Sequence, residues 1–200
     1  MPQVPHRCYE THKPLEIEVG LKRYYVYGGS CLNPVVTNAD IYVGLDFSMN
    51  LDRYMPWKVS EVIALKYVIV DYAAPHDADD FVQLIAWLAH NIIAGRVVHI
   101  GCIGGHGRTG LVLAALYSYM TADCNAIQYV RTNYCLKAVE STVQIKFLQK
   151  YFNCKKVSPA KPRGLDFPKR KKAKKQSHSV IMPSRISLDN IWTTLVDRRG

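Results

Sequence analysis

The chain has 200 residues, 48% of them hydrophobic, enough for one globular domain with a real core. No run of about 18 apolar residues appears, and the opening MPQVPHRCYE lacks the apolar stretch of a secretory signal, so a soluble cytoplasmic protein without a transmembrane segment is expected. The net charge of +10 suggests a polyanion partner, yet acidic and basic side chains balance over residues 1–154 and the whole excess falls in residues 155–200.

In chain order, RYYVYGGS has the aromatic and β-branched content of a strand closed by a glycine turn, and DIYVGL alternates in the same way. LKYVIVDYAAP follows, in which YVIV is a continuous apolar run expected to form a central strand ending at Asp71. From Asp77 to Ala94 the residues Phe81, Leu84, Ile85, Leu88 and Ile92 recur at helical spacing, with Asp77, Asp79 and Asp80 at the favourable end of the dipole and Gly95 as a stop. RVVHI is another buried strand, HIGCIGGHGRTG a glycine-rich loop, and TGLVLAALYSYM a helix apolar nearly all round. Two more helices are predicted near 123–133 and 139–153. This alternation predicts an α/β fold, a central mostly parallel sheet flanked by helices, with ligands at the carboxyl ends of the strands.

The six cysteines, Cys8, Cys31, Cys102, Cys124, Cys135 and Cys154, are scattered without a C-x-x-C pair and are expected to be reduced thiols. Cys102 differs from the rest by its place in the glycine loop. A strand that runs through such a loop into a helix aims several backbone N–H groups at one point, with the positive end of the helix dipole behind them, and so binds an oxyanion. No G-K-[ST] ending is present, which argues against a nucleotide P-loop. A thiol in that field is favoured as thiolate, a nucleophile. Arg108 can offer a planar fork to two phosphate oxygens, and Thr109 can hydrogen-bond the sulfur.

The pattern C-x5-R-T-G, from Cys102 to Gly110, resembles the signature of the cysteine-dependent protein tyrosine phosphatase superfamily, and looks closest to its compact dual-specificity branch. GCIGGHGRTG together with YCLKAVES is similar to small phosphatase-like proteins of bacteriophages and bacteria. The resemblance covers residues 20–152 and implies a phosphatase domain over 1–154. It implies a phosphomonoester hydrolase with a phospho-cysteine intermediate, a tyrosine or dual-specificity protein phosphatase that acts as a monomer on phosphorylated protein without metal or cofactor. In that reading Cys102 is the nucleophile and Ile103, Gly104, Gly105, His106, Gly107 and Arg108 hold the phosphate. Asp71 of DYAAP is the general acid, carried on a loop with proline four residues later. Asp46, Asp77, Asp79 and Asp80 are weaker candidates, since solvation or helix capping explains them. Glu140 and Gln144, four apart on an expected helix, share a face; Gln144 is favoured for orienting water and Glu140 for orienting Arg108.

The chain departs from the family at Gly101, where most members have histidine before the cysteine. His106 either touches substrate or faces solvent, His99 and His90 are expected to be packing or surface residues, and Cys135 is either an ordinary thiol or a partner guarding Cys102 from over-oxidation. The alternatives are a phosphate-binding pseudophosphatase, a phosphatase of RNA 5′-phosphates or phosphoinositides, and a rhodanese or arsenate reductase, which the Asp-x-x-x-Pro stretch disfavours. Residues 155–200 are expected to be a basic, largely disordered tail with a short helix near 187–196. Its segment 155–176 could contact nucleic acid or an anionic surface, or serve as a nuclear address in a eukaryotic cell; in a viral setting the location is the host cytoplasm.

Overall fold

The computed structural model describes residues 12–49 and 62–160. They form five strands, β1 (Leu15–Val19), β2 (Lys22–Ser30), β3 (Ile41–Gly44), β4 (Ile63–Lys66) and β5 (Val98–Cys102), and four helices, α1 (Ala78–Ile93), α2 (Gly107–Thr121), α3 (Ala126–Asn133) and α4 (Thr142–Tyr151). The strands make one sheet in the order β1-β2-β5-β3-β4, antiparallel between β1 and β2 and parallel elsewhere. This is the expected α/β fold with a mostly parallel sheet. No helix among the described residues is long and apolar enough to cross a membrane.

The central strand is β5, buried at all five positions. Because side chains alternate across a strand, its two faces have different duties. Val98, Ile100 and Cys102 join the main core, together with Phe81, Ile85 and Leu88 of α1, Leu111 to Leu116 of α2, Ile127 and Val130 of α3, and Ile145 and Leu148 of α4. His99 points the other way, its ring 5.8 Å from that of Tyr42, which belongs to a smaller cluster with Cys31, Ala39 and Met49. The near-uniform hydrophobicity of α2 is accounted for by its burial from Gly107 to Ser118. Helix α1 begins where Asp77 Oδ1 accepts the amides of Asp79 (2.9 Å) and Asp80 (3.0 Å), an N-cap.

Two sequence expectations are corrected. YVIV is not a central strand: β4 ends at Lys66, lies at the sheet edge and is only partly covered. Tyr67 and Ile69 still donate to the carbonyls of Gly44 (2.9 Å) and Leu45 (3.2 Å), but β3 has ended and no further ladder forms. The glycines of RYYVYGGS do not close a turn; Gly28 and Gly29 pair with Ile100 and Gly101 inside the sheet. A side chain at Gly28 would strike the Tyr134 ring at 2.7 Å, so the glycine makes room for that ring. Strand β1, unrecognised in the sequence, covers the β2 edge. Just past Cys154, Lys155 N–H donates to Cys124 O (2.7 Å) and Arg131 donates to Ser158 O (2.7 Å). The rest of the expected tail, with the helix near 187–196, lies outside the described residues.

Gly101 now has a physical reason. A Cβ there would sit 2.6 Å from Cys31 N and 2.7 Å from the Ser30 carbonyl carbon, both backbone atoms. The β2 end crosses too closely for any side chain, histidine included, and Cys31 N–H donates to Cys102 O (2.8 Å) in the same crossing. Gly101→Ala is therefore expected to destabilise the fold by about 1–3 kcal/mol, as overpacking does. Urea unfolding measures this as a lowered midpoint, and an unchanged midpoint would contradict the close crossing.

Candidate active site

Strand β5 delivers Cys102 to the carboxyl edge of the sheet, and the chain turns through Ile103–His106 into α2. Gly105 adopts φ +68°, the left-handed backbone that glycine takes without strain. His106 is the N-cap of α2 but makes no side-chain cap bond, and no acidic residue occupies the first turn. The positive helix end is thus directed at the loop. Tyr134 braces the loop from behind, its hydroxyl donating to Gly105 O at 2.7 Å.

Cys102 is 3% exposed. Thr109, one turn into α2, holds it at two points: its Oγ1 accepts from Cys102 N–H (2.9 Å) and lies 3.2 Å from Cys102 Sγ. The hydroxyl is within reach of two acceptors, Cys102 Sγ and Gly29 O (3.4 Å).

The Arg108 side chain is 5% exposed, and its two edges are used differently. Nη1 is anchored by Asp46 Oδ2 (2.6 Å), Ile69 O (3.0 Å) and Leu45 O (3.4 Å). On the opposite edge, among the described residues, Nη2 reaches only Asp71 Oδ1, at 3.3 Å, and Nε has no partner. Burial opposes the Arg108 charge, but the Asp46 hydrogen bond and the charges of Cys102, Asp71 and Asp46 outweigh it, so its pKa rises. A buried N–H without an acceptor is costly, and here it leaves Nε as an unfilled donor beside an Nη2 that holds Asp71.

Asp46, set aside in the sequence, is thus the principal anchor of Arg108. Burial pushes its pKa up, but hydrogen bonds from Ser48 and Arg108 overcome this and hold it at about 2. Glu140 does not perform the orienting task expected of it. It precedes α4, and its carboxylate accepts the Gly107 N–H. Burial raises its pKa and the Asp71 charge adds to the rise. Gln144 is fully buried at the third position of α4, where it and Ser141 form a capping box: Ser141 Oγ accepts Gln144 N–H (3.1 Å) and Gln144 Oε1 accepts Ser141 N–H (3.2 Å). Its Nε2 has no partner and would be 3.4 Å from a Cβ at Gly107. Glu140 and Gln144 therefore converge on Gly107, through the cap and not through a shared helical face.

Asp71 is 63% exposed on a short loop pinned by buried Ile69 and Pro75. Tyr72 beside it takes φ +58°. His106 Nδ1 lies 3.4 Å from Cys135 Sγ, so the sulfur of Cys135 meets the histidine of the loop. Burial, then the Lys137 charge, holds His106 at a pKa of about 4. His99 is buried, its pKa lowered to about 4 by desolvation, and His90 lies exposed in α1, as packing and surface residues should. Cys31 is buried too, and desolvation, then the Asp46 and Cys102 charges, push its thiol up to about 11.

No family model matches the chain. Among curated proteins it is 40% identical over 83 residues to an uncharacterized protein of Methanocaldococcus jannaschii, MJECL20, covering 42% of this chain and 55% of that one. A second from the same organism, MJ0215, is 38% identical over 88 residues, covering 44% and 54%. The chain spans about half the length of the curated relatives it matches. Among solved structures it is similar to the active form of Tk-PTP, with 27% identity, TM-score 0.50, and coverage of 57% of this chain and 79% of that one. It also matches kinase associated phosphatase carrying serine for its catalytic cysteine (16% identity, TM-score 0.55, coverage 76% and 96%) and human DUSP28 (16%, 0.52, 70% and 95%). The chain has the fold of the cysteine-dependent tyrosine and dual-specificity phosphatases.

Acid is expected to destabilise the fold in two steps. His99 stays neutral when folded, so between pH 6.5 and about 4 the unfolded chain binds a proton that the folded one refuses and stability falls, with His12 and His106 adding to the effect. The depressed pKa of Asp46 contributes stability above pH 3.8 that is lost as pH falls through about 2. Urea midpoints measured across this range should retain the first step and lose the second in Asp46→Asn.

Proposed function

We propose that the protein is a phosphomonoester hydrolase working through a phospho-cysteine, acting on phosphorylated protein as a tyrosine or dual-specificity phosphatase. The observation that carries this is the edge of Arg108 whose Nε has no partner among the described residues and whose Nη2 is ion-paired to exposed Asp71, on a guanidinium that also feels the charge of Cys102.

A phosphate dianion settling on that edge takes Nη2 from Asp71 and accepts loop N–H groups. Cys102 Sγ attacks phosphorus, the ester P–O bond breaks, and the carboxylic acid form of Asp71 gives its proton to the departing oxygen. Water then attacks the phospho-cysteine, Asp71 takes a proton from it, and the S–P bond breaks to return a thiolate that accepts the Thr109 hydroxyl. Gln144 Nε2, buried without a partner next to Gly107, is suited to hold that water.

The charge balance supports a monophosphate on protein over a polyphosphate head group. Within the loop only Arg108 is positive, since His106 titrates near 4, and Asp46, Asp71 and Glu140 surround it. Exposed apolar side chains flank the site instead: Ile103 in the loop, Val70 and Tyr72 on either side of Asp71.

Release of para-nitrophenol from its phosphate ester tests the reading. Cys102→Ser is expected to abolish turnover, and Asp71→Asn to slow poor leaving groups by about 10²–10⁴-fold, the usual worth of a general acid. Arg108→Lys should raise KM and lower kcat, because a point charge replaces the fork. An unsubstituted protein with no turnover above Cys102→Ser, but which still binds phosphopeptide, would make it a binding module.

A further inference from the structure

Beside the phosphate loop lies a second cluster of side chains that the proposed reaction does not use. His12, just before β1, is packed edge-on against the rings of Tyr134 (centroids 4.4 Å apart) and His106 (5.5 Å). Cys135 follows Tyr134 in the connection between α3 and α4 and is buried. One ligand atom from each of His12, His106 and Cys135 lies within 4.8 Å of the others. These three come from distant parts of the sequence, and packing of the core alone does not call for two imidazoles and a thiol at one point.

The geometry matches a metal edge. Zinc bonds of about 2.3 Å to sulfur and 2.0–2.1 Å to nitrogen, at a tetrahedral angle, put sulfur and nitrogen about 3.6 Å apart. Cys135 Sγ and His106 Nδ1 are 3.4 Å apart. The third ligand is prepared as well, because among the described residues His12 Nδ1 is buried with no hydrogen-bond partner, a state that a nitrogen of this kind rarely keeps. Two nitrogens and a sulfur select borderline-soft ions and disfavour magnesium or calcium, which take oxygen.

We propose that His12, His106 and Cys135 form a binding site for a borderline-soft divalent ion, zinc first among them, with a fourth position left to water. On binding, the Cys135 S–H bond breaks, its proton passes to solvent, and the sulfur donates its electron pair to the metal, with no change of oxidation state. Since His106 sits within the phosphate loop, the ion ties that loop to the α3–α4 connection and to the segment ahead of β1. The site is thus separate from Cys102 and is a clamp on the loop, independent of whether the proposed hydrolysis occurs.

Cobalt(II) serves as the probe, added to the reduced, metal-free full chain. One equivalent is expected to give the intense visible absorption of a tetrahedral ion with a thiolate charge-transfer band, to release a proton, and to be displaced by zinc. The spectrum should persist in Cys102→Ser, lose its charge-transfer band in Cys135→Ser, and need more than about tenfold higher cobalt in His12→Ala, since even loss of a supporting group around a ligand costs that much. Circular dichroism checks that each variant is folded, and His12, which lies before β1 and outside the main core, provides a variant that leaves the core intact. The proposal is overturned if no tetrahedral spectrum forms, if Cys135→Ser and His12→Ala leave it unchanged, or if it vanishes in Cys102→Ser and survives in Cys135→Ser, which assigns the metal to the nucleophile.

Discussion

The Nη1 edge of Arg108 ties together two strand ends and a helix start that the sheet order brings side by side. It binds Asp46 and the Leu45 carbonyl just past β3, and the Ile69 carbonyl past β4, while its backbone belongs to the first turn of α2. Two strand ends and a helix start are thereby locked around one planar group. A buried guanidinium is tolerable only if its donors are satisfied, and the satisfied edge is what fixes the orientation of the unsatisfied one. Placement of Asp71, of the phosphate fork and of the approach to Cys102 all follows from that anchoring.

A second constraint is the space behind the loop. The β2 end passes so close to Gly101 that the strand can carry no side chain there, and the crossing is sealed by the bond from Cys31 to Cys102 O. On the other side Gly107 must stay bare because the Glu140 carboxylate occupies the volume a Cβ would take, and Gln144 lies close by. Tyr134 fills the hollow over Gly28 and holds Gly105 by its hydroxyl. The loop is therefore shaped by contacts with its surroundings as much as by its own glycines.

Much of this was legible in the sequence because it is local. Cys102, Arg108 and Thr109 share one strand-loop-helix unit, and Asp77 capping α1 was visible as an acidic cluster ahead of an apolar period. Asp46 was not legible: it lies 62 residues from Arg108, and only the sheet order, which sets β3 beside β5, brings the two together. YVIV was misplaced because an apolar run cannot distinguish a covered strand from the stretch that continues an edge strand after its neighbour has ended. The position of Glu140 could have been found, since Ser141 followed by Gln144 three residues later is a capping-box signal that starts α4 after it. The group at His12, His106 and Cys135 had no sequence signal, because its members are spread over three separate connections.

The ring of carboxylates around Arg108 also bears on how a ligand arrives. Asp46 and Asp71 contact the guanidinium and Glu140 caps the neighbouring Gly107, so the positive charge at the bottom of the site is cancelled within a few ångströms. A field cancelled at such short range projects little attraction beyond a Debye length of about 8 Å at physiological ionic strength. On the proposed reading, encounter with a phosphorylated surface is then left to ordinary diffusion and to contact, without the long-range steering that accelerates association in strongly charged clefts. In that reading, selection among partners would take place after arrival, in the competition between an incoming phosphate and Asp71 for the same nitrogen.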